Sequence, residues 1–365
     1  MDQNEYDSFL VYVDTDGAWW IGDALSNKAN YHFSSDDKKK LLKRVELSVG
    51  RASKGALRIL PSNVFSKPKE IHFDIALLAF HGTGGEDGKF QGLMETAGFA
   101  YTGTRVMASS VCMNKALTKA ILRAKGVSVL PEIVLNRPIS KTDFLDITAL
   151  TENIEVKYPV IVKPCNLGSS VGVSKAYDLK ELNSALLNIF KLDETAIIEP
   201  YIENLEEYNI SVTKAFGEVQ VSAIERPLKK GDFLHFKDKY LSGGNMATKL
   251  ASSHGEGMAD LSRVINPPEL TETQNNIIKE GAIKAFNAIN CNGAPRIDFL
   301  MNKNNGEIYL CEINTIPGSF AFYLWEHEKI NFTKLLSGLI EEAIFERYSR
   351  PTSHFDMNAT IFKQK

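Results

Sequence analysis

The chain has 365 residues, 44% of them hydrophobic and 24% charged, with a formal net charge of −3. Such a chain can bury two or three globular lobes, and its slight negative balance offers no electrostatic footprint for nucleic acid or a membrane surface. No apolar run approaches the ~18–20 residues of a bilayer span, the acidic start MDQNEYDSF is unlike a signal peptide, and Cys112, Cys165, Cys291 and Cys311 are scattered without C-x-x-C spacing, which points to a reduced, cytoplasmic setting without structural zinc or disulfides.

Strand-like and helix-like segments alternate along the whole chain, which predicts an α/β class. SFLVYVDT and AWWIGD flank Asp16-Gly17, a favoured hairpin turn. DDKKKLLKR at 36–44 reads as a solvated helix face rather than a basic patch. IHFDIALLAF reads as one buried strand feeding the glycine-rich loop HGTGGEDG. Ser110 is expected to cap a helix that runs to about Lys125 and is stopped by Gly126. YPVIVKP is a β-branched strand, followed by the loop CNLGSSVG and a strand into Lys175. Asp178 and Glu181 form a capping-box pattern for a helix that carries Leu182, Leu186 and Phe190 on one side. TAIIEPYI is a strand leading into a polar linker at 203–207, and YNISVTKAF and VQVSAIER alternate around Gly217 as a hairpin. The polar segment 229–254 is too long for an ordinary connector and reads as a lid. Ile277, Ile278, Ala282, Phe286 and Ile289 keep helical spacing before the strands RIDFLM and EIYLCEIN; a last amphipathic helix covers about 335–348, and the tail from Pro351 looks frayed.

The most informative chemistry lies in EINTIPGS at 312–319, read with RIDF at 296–299. Glu312 and Asn314 are two apart on a strand and therefore share a face. A turn at 302–306 brings Asp298 alongside, so three oxygen ligands converge, a set that suits Mg²⁺ rather than zinc. Pro317-Gly318 then turns the chain and presents a main-chain N–H. Upstream, the loop at 166–172 holds two glycines and two serines between strands, able to turn backbone N–H groups toward an anion. A plain hairpin loop has the same letters, but Lys163 on the preceding strand adds a positive charge. The loop is not a Walker A, because Gly-Lys-Ser/Thr and a following helix are missing. Lys115 reads by default as a solvated lysine, and Glu199 before Pro200-Tyr201-Ile202 as either a strand exit or a base-binding edge.

Taken in order, HGTGGEDGKFQGLMETAG, MNKALTK, YPVIVKPCNLGSSVGVS, IIEPYI, EEYNISV, KDKYLSGG, RIDFLM and EINTIPGS resemble the D-alanine–D-alanine ligase family of the ATP-grasp superfamily. The resemblance spans roughly 7–345. It implies an ATP-grasp fold with a truncated α/β N-terminal domain at 1–110, a small subdomain at 111–200, a large subdomain at 201–348 and a tail at 349–365. It implies that Lys115 and Lys163 contact ATP phosphates under the loop of Gly168, Ser169 and Ser170. Glu199, Tyr201 and Ile202 would hold the adenine and Glu207 the ribose, with Glu206 a rival for the latter by spacing. Asp298, Glu312 and Asn314 would bind two Mg²⁺ ions, with Mn²⁺ as an alternative. Arg296 and the Gly318 N–H would form an oxyanion hole, Lys239 and Tyr240 would close with the lid over phosphate and first substrate, and His81 would face the second.

The implied reaction is ATP-dependent formation of D-alanyl-D-alanine for peptidoglycan through an acyl phosphate. Two departures from the family pattern stand out. The usual Gly-Gly-x-Ser-x-Glu loop, whose glutamate holds the first ammonium, has no counterpart, so the N-terminus looks short by about one βα unit. Asp14 and Asp16 are conceivable substitutes, and a missing strand would leave a sheet edge open to a partner chain or a second copy in a homodimer. Tyr323 stands where many members place a serine that binds the second carboxylate; Tyr323 and Trp325 read equally well as packing residues. The alternatives are therefore a same-mechanism ligase for D-lactate, D-serine or another amino acid, and an ATP-binding pseudo-ligase or incomplete subunit.

Overall fold

The computed structural model describes residues 1–27, 31, 33–49, 56–61, 67, 69–139, 147–152, 154–228 and 263–349. They divide into two compact units, Met1–Leu77 with Leu93–Thr102 and Ile340–Lys365, and Leu78–Gly92 with Gly103–Leu339.

In the first unit, strands β1 (Val11–Val13), β2 (Trp19–Ile21), β3 (Lys43–Leu47), β4 (Ala56–Ile59) and β5 (Lys69–His72) form an antiparallel sheet in that order. The β1–β2 hairpin forms as the Asp16-Gly17 dipeptide predicts, with Val13 opposite Trp19 and Gly17 at φ +76°. Helix α1 (Ser35–Leu41) buries no side chain and starts in a capping box of Ser34 and Asp37, as a solvated helix should, but it stops short of the expected 44, since Lys43 and Arg44 already belong to β3. Ile21, Val45 and Leu57 form the core of the sheet. The apolar run expected as one strand is two: after β5 the chain bends at Asp74, and β6 (Ile75–Ala76) pairs in parallel with β7 (Ala100–Tyr101). A single turn-forming aspartate outweighs the apolar run on either side of it.

Among its described residues the second unit contains two sheets. The first has the order β10 (Ser174–Ala176), β9 (Val160–Pro164), β11 (Thr195–Pro200), β8 (Ile133–Asn136), and is antiparallel throughout. Helix α6 (Leu179–Ile189) packs Leu182, Leu186 and Ile189, with Phe190 just beyond, into a fully buried cluster against it. Each such side chain contributes roughly 1.5–3 kcal/mol of burial. Asp178 caps the Glu181 N–H, but the Glu181 carboxylate accepts from Tyr177 instead of Asp178, so only half of the predicted capping box forms.

The second sheet has the order β15 (Arg263–Ile265), β14 (Glu225–Pro227), β12 (Leu205–Phe216), β16 (Arg296–Asn302), β17 (Ile308–Asn314), with β13 (Glu218–Val221) also paired to β12. β12 begins at Leu205, so the expected linker at 203–207 ends inside a strand. One face of this sheet, with Tyr208, Ile210, Val212, Ile297, Phe299 and Ile313, is buried with Ile278, Ala282, Phe286 and Ile289 of α7 (Glu272–Ile289) in a single core. The helix expected from Ser110 is likewise two, α3 (Val106–Met113) and α4 (Lys115–Ala124). Asn114 breaks and recaps it by accepting from the Leu117 N–H at 2.9 Å, whereas Ser110 lies inside α3 and donates to the Asp87 carbonyl. The described residues end with α8 (Phe322–Glu326) and α9 (Phe332–Ser349), and α2 (Lys89–Ala97) and α5 (Thr148–Thr151) are the remaining helices placed among them.

Candidate active site

With one face of the β12–β17 sheet spent on the core, the other carries polar residues in register. Asn209 lies opposite both Glu225 and Asp298, and Asp298 opposite Glu312, giving one row across four strands. Ser211, Arg296 and Asn314 form the next row. Opposed residues on antiparallel strands project to the same side, so the acids, the amide and the arginine predicted from RIDF and EINT meet. A bulge between Asp298 and Phe299, opposite Cys311, resets the register so that Glu312 falls beside Asp298.

Asp298 is 5% exposed. It accepts from Arg296 Nε at 2.7 Å and Nη2 at 2.8 Å, and from Asn314 Nδ2 at 2.8 Å. Burial pushes its carboxyl up to about 7 against the pull of Arg296, with Glu312 and Glu207 adding to the rise. The same carboxylate holds the Arg296 guanidinium firmly protonated despite its burial. Among the described residues no three His, Cys, Asp or Glu side chains cluster as a metal site; the donor set is two carboxylates and an amide. The Asn314 nitrogen is committed to Asp298, so its oxygen is the end presented to a cation. Crowded, partly uncompensated acid oxygens of this kind fit a hard divalent ion such as Mg²⁺.

Cations approach this row from the other sheet and from α4. Lys115 Nζ donates to the Leu167 carbonyl at 2.6 Å and lies 3.9 Å from Glu312. That bond ties the first residue of α4 to the glycine–serine loop, in which Gly168, Ser169 and Ser170 are exposed and both serines adopt left-handed φ, 53° and 55°. The loop is anchored upstream, where Asp193 accepts from the Asn166 backbone and side chain. Lys163 is buried and 2.7 Å from Glu199 Oε2. Burial opposes its charge, but Cys311, Glu199 and Glu312 outweigh that and raise its affinity for the proton. Burial likewise pushes Glu199 up, yet Lys163 and Lys119 hold it below its usual range.

Tyr201 and Ile202 follow Glu199, half-buried, and the Lys175 ammonium sits 3.3 Å over the Tyr201 ring. Glu207 shares the face of Asp298, whereas Glu206 is engaged by Lys303 at 3.2 Å and Arg226 at 3.8 Å. That division favours Glu207 as the carboxylate facing the site. Gly318 follows Pro317, and the next three residues, Ser319, Phe320 and Ala321, all have left-handed φ of 50–56°. Such consecutive strain in non-glycine residues is costly and concentrates where function demands a particular backbone path. Lys239 and Tyr240, and with them the expected lid at 229–254, lie outside the described residues.

Several polar contacts here were not anticipated. Glu86, in the GEDG of the His81 loop, accepts from the Gly82 N–H and from the Ile316 N–H at 3.3 Å, so it fastens that loop to the segment after β17. Burial raises its proton affinity, and the charge of Glu312 adds to it. His81 itself is exposed, next to Gly82 at the start of this loop. Tyr323 donates to Glu225 at 3.0 Å, and the Arg263 guanidinium stacks 3.7 Å over its ring while pairing with Glu225 at 3.2 Å. Its hydroxyl proton is therefore directed at a buried glutamate. Trp325 is fully buried and donates to Ser211, a packing role. Asp14 accepts from Asp16, Ala18, Trp20 and Lys38 and so serves the hairpin it closes.

Comparison with known proteins shows the family to which the chain is similar. Sequence models of the D-ala D-ala ligase N-terminus and C-terminus match residues 1–104 and 121–341. A D-alanine–D-alanine ligase of Thermosipho africanus is 33% identical over 100% of this chain and 92% of its own length. The structure of the D-alanine–D-alanine ligase from Coxiella burnetii superposes with a TM-score of 0.70 at 26% identity, covering 93% of this chain and 84% of that one. The ligase from Bacillus anthracis complexed with ATP does so with a TM-score of 0.57 at 26% identity, over 76% of this chain and 81% of its own.

Proposed function

The chain belongs to the D-alanine–D-alanine ligase family of ATP-dependent amino-acid ligases, and we propose that it joins two D-alanines, with Mg²⁺, to supply peptidoglycan synthesis in the cytoplasm. The observation that carries this reading is the row Asp298–Glu312 with Asn314 and Arg296, faced by Lys115 and Lys163. In this reading Lys115, Lys163 and the Gly168–Ser169–Ser170 loop hold the ATP phosphates, Glu199, Tyr201 and Ile202 the base, and Glu207 the ribose. Asp298, Glu312 and Asn314 hold the Mg²⁺ ions, which when bound offset phosphate charge.

The first D-alanine carboxylate oxygen attacks the γ-phosphorus, ADP leaves, and an acyl phosphate forms. The amine of the second D-alanine attacks the carbonyl carbon. Arg296, oriented by its two bonds to Asp298, and the Gly318 N–H stabilise the tetrahedral oxyanion before phosphate departs with the former carboxylate oxygen. His81, tethered through Glu86, lies on the second-substrate side. Lys239 and Tyr240 close the lid, which keeps water from the acyl phosphate. A homodimer is the expected assembly.

The engagement of Tyr323 with Glu225 favours a second reading for the acceptor alone: the same chemistry with D-lactate, D-serine or another amino acid. Phosphate release with ATP, Mg²⁺ and single or paired substrates tests both. Release with D-alanine alone supports the dipeptide reading, release only with another pair replaces the acceptor, and no release with any pair contradicts the ligase assignment.

A further inference from the structure

The nucleotide assignment leaves one group unused. Lys119 is 2% exposed, a lysine sealed inside the protein. It lies four residues after Lys115 on α4, hence on the same helical face. Its ammonium donates to the Leu130 carbonyl at 2.9 Å and to Glu199 Oε1, with Glu132 at 3.6 Å. Glu132 is in turn paired with Arg123 at 2.5 Å. Charges therefore alternate from the surface inward, through Arg123, Glu132, Lys119 and Glu199 to Lys163, and Glu199 is gripped by a different ammonium at each oxygen.

A buried lysine is costly unless its partners repay the desolvation, so the cluster invites a functional account. Lys163 has two claims on it: Glu199 and, in the proposed reading, a nucleotide phosphate. When phosphate draws the Lys163 charge away, Glu199 would be left buried with no counter-ion if Lys119 were absent. It would then take up a proton. That matters chemically. A carboxylate only accepts hydrogen bonds and so matches the 6-amino group of adenine while repelling the 6-oxo group of hypoxanthine. A carboxylic acid can donate and tolerates either.

We infer that Lys119 is a positioning residue: it holds Glu199 as an acceptor-only carboxylate aimed at the base and thereby sets the preference for a 6-amino purine. This rests on the proposed nucleotide site. Lys119 itself does not touch the nucleotide.

The test is calorimetric binding of ADP and of IDP to the full chain and to K119M, with folding checked by circular dichroism. The wild type is expected to prefer ADP by tenfold or more, on the order of one well-made hydrogen bond and one avoided repulsion. In K119M the two nucleotides should bind within about threefold of each other, since the base edge is no longer read. A K119M protein that binds both more weakly but keeps the ratio would assign Lys119 to packing alone and overturn the inference. Equal binding of ADP and IDP by the wild type would overturn it as well, by removing Glu199 from the base. Binding of neither by the wild type would instead defeat the nucleotide site on which the inference stands. If K119M does not fold, K119Q, which keeps a polar head without the charge, is read by the same criteria.

Discussion

Removal of Arg296 should be costly for stability as well as catalysis, and the two effects can be separated. Asp298 is 5% exposed and takes two of its three side-chain hydrogen bonds from Arg296. Arg296→Met deletes both and the only cation in direct contact with Asp298 among the described residues. An uncompensated buried charge costs about 3–5 kcal/mol, a large part of the ~5–15 kcal/mol that holds a typical protein folded. Asp298→Asn alone strands the guanidinium in the same way. In the double variant neither charge remains, so its loss should fall short of the summed single losses by about 2–3 kcal/mol. Urea unfolding of the four proteins at pH 9, above the value of about 7 at which Asp298 takes up a proton, reads this directly. Additivity within ~0.5 kcal/mol would refute the reasoning, because it would mean the pair is not coupled. Arg296→Met should also lower kcat by roughly 10²–10³, the worth of a lost oxyanion donor, while folded protein still binds ADP.

Glu312→Ala should abolish turnover, since it removes a proposed metal ligand, yet shift stability by less than ~1 kcal/mol because the side chain is one-third exposed; wild-type-like phosphate release would contradict the ligand assignment. Tyr323→Phe removes one donor from buried Glu225 and should cost about 1–2 kcal/mol. Because that hydroxyl proton faces Glu225 rather than substrate, the KM for the second amino acid should move by less than about threefold, and a tenfold rise would contradict the geometry. Asp14 titrates at about 2 in the folded chain: burial pushes it up, but Lys38 and the N–H groups of Ala18, Trp20 and Asp16 pull it down further. Its folded value lies below the ~3.9 of an unfolded aspartate, so its contribution is complete above pH ~4–5 and fades as pH falls toward 2. Asp14→Asn should therefore lower the melting temperature at pH 7 and lower it by clearly less at pH 2.5; equal losses at both would contradict the shift.

What could be read from the sequence was local. RIDF and EINT announced two strands by alternation, and the turn between them fixed a pairing that brings Asp298 beside Glu312. The hairpin at Asp16-Gly17 and the α6 and α7 faces followed from period and turn chemistry in the same way. The misplacements were local competitions: Asn114 outcompetes Ser110 as a cap, Asp74 breaks an apolar run, and β12 extends back through residues that looked like a linker. The polar contacts that escaped notice depend on long-range partners. Lys119 meets Glu199 across 80 residues and Tyr323 meets Glu225 across 98, and no periodicity encodes such pairs. Glu86 did sit inside a quoted motif, but its bond to Ile316 spans 230 residues and becomes visible only once the strands are placed.

The most direct test of the ligase account follows an oxygen atom. D-alanine labelled with ¹⁸O in its carboxylate is incubated with the protein, ATP and Mg²⁺, and the released phosphate is examined by mass spectrometry. An acyl phosphate requires one labelled oxygen to leave with each phosphate, alongside a dipeptide that has lost it. Phosphate free of label would show that water, not the carboxylate, attacks ATP, and would contradict the account.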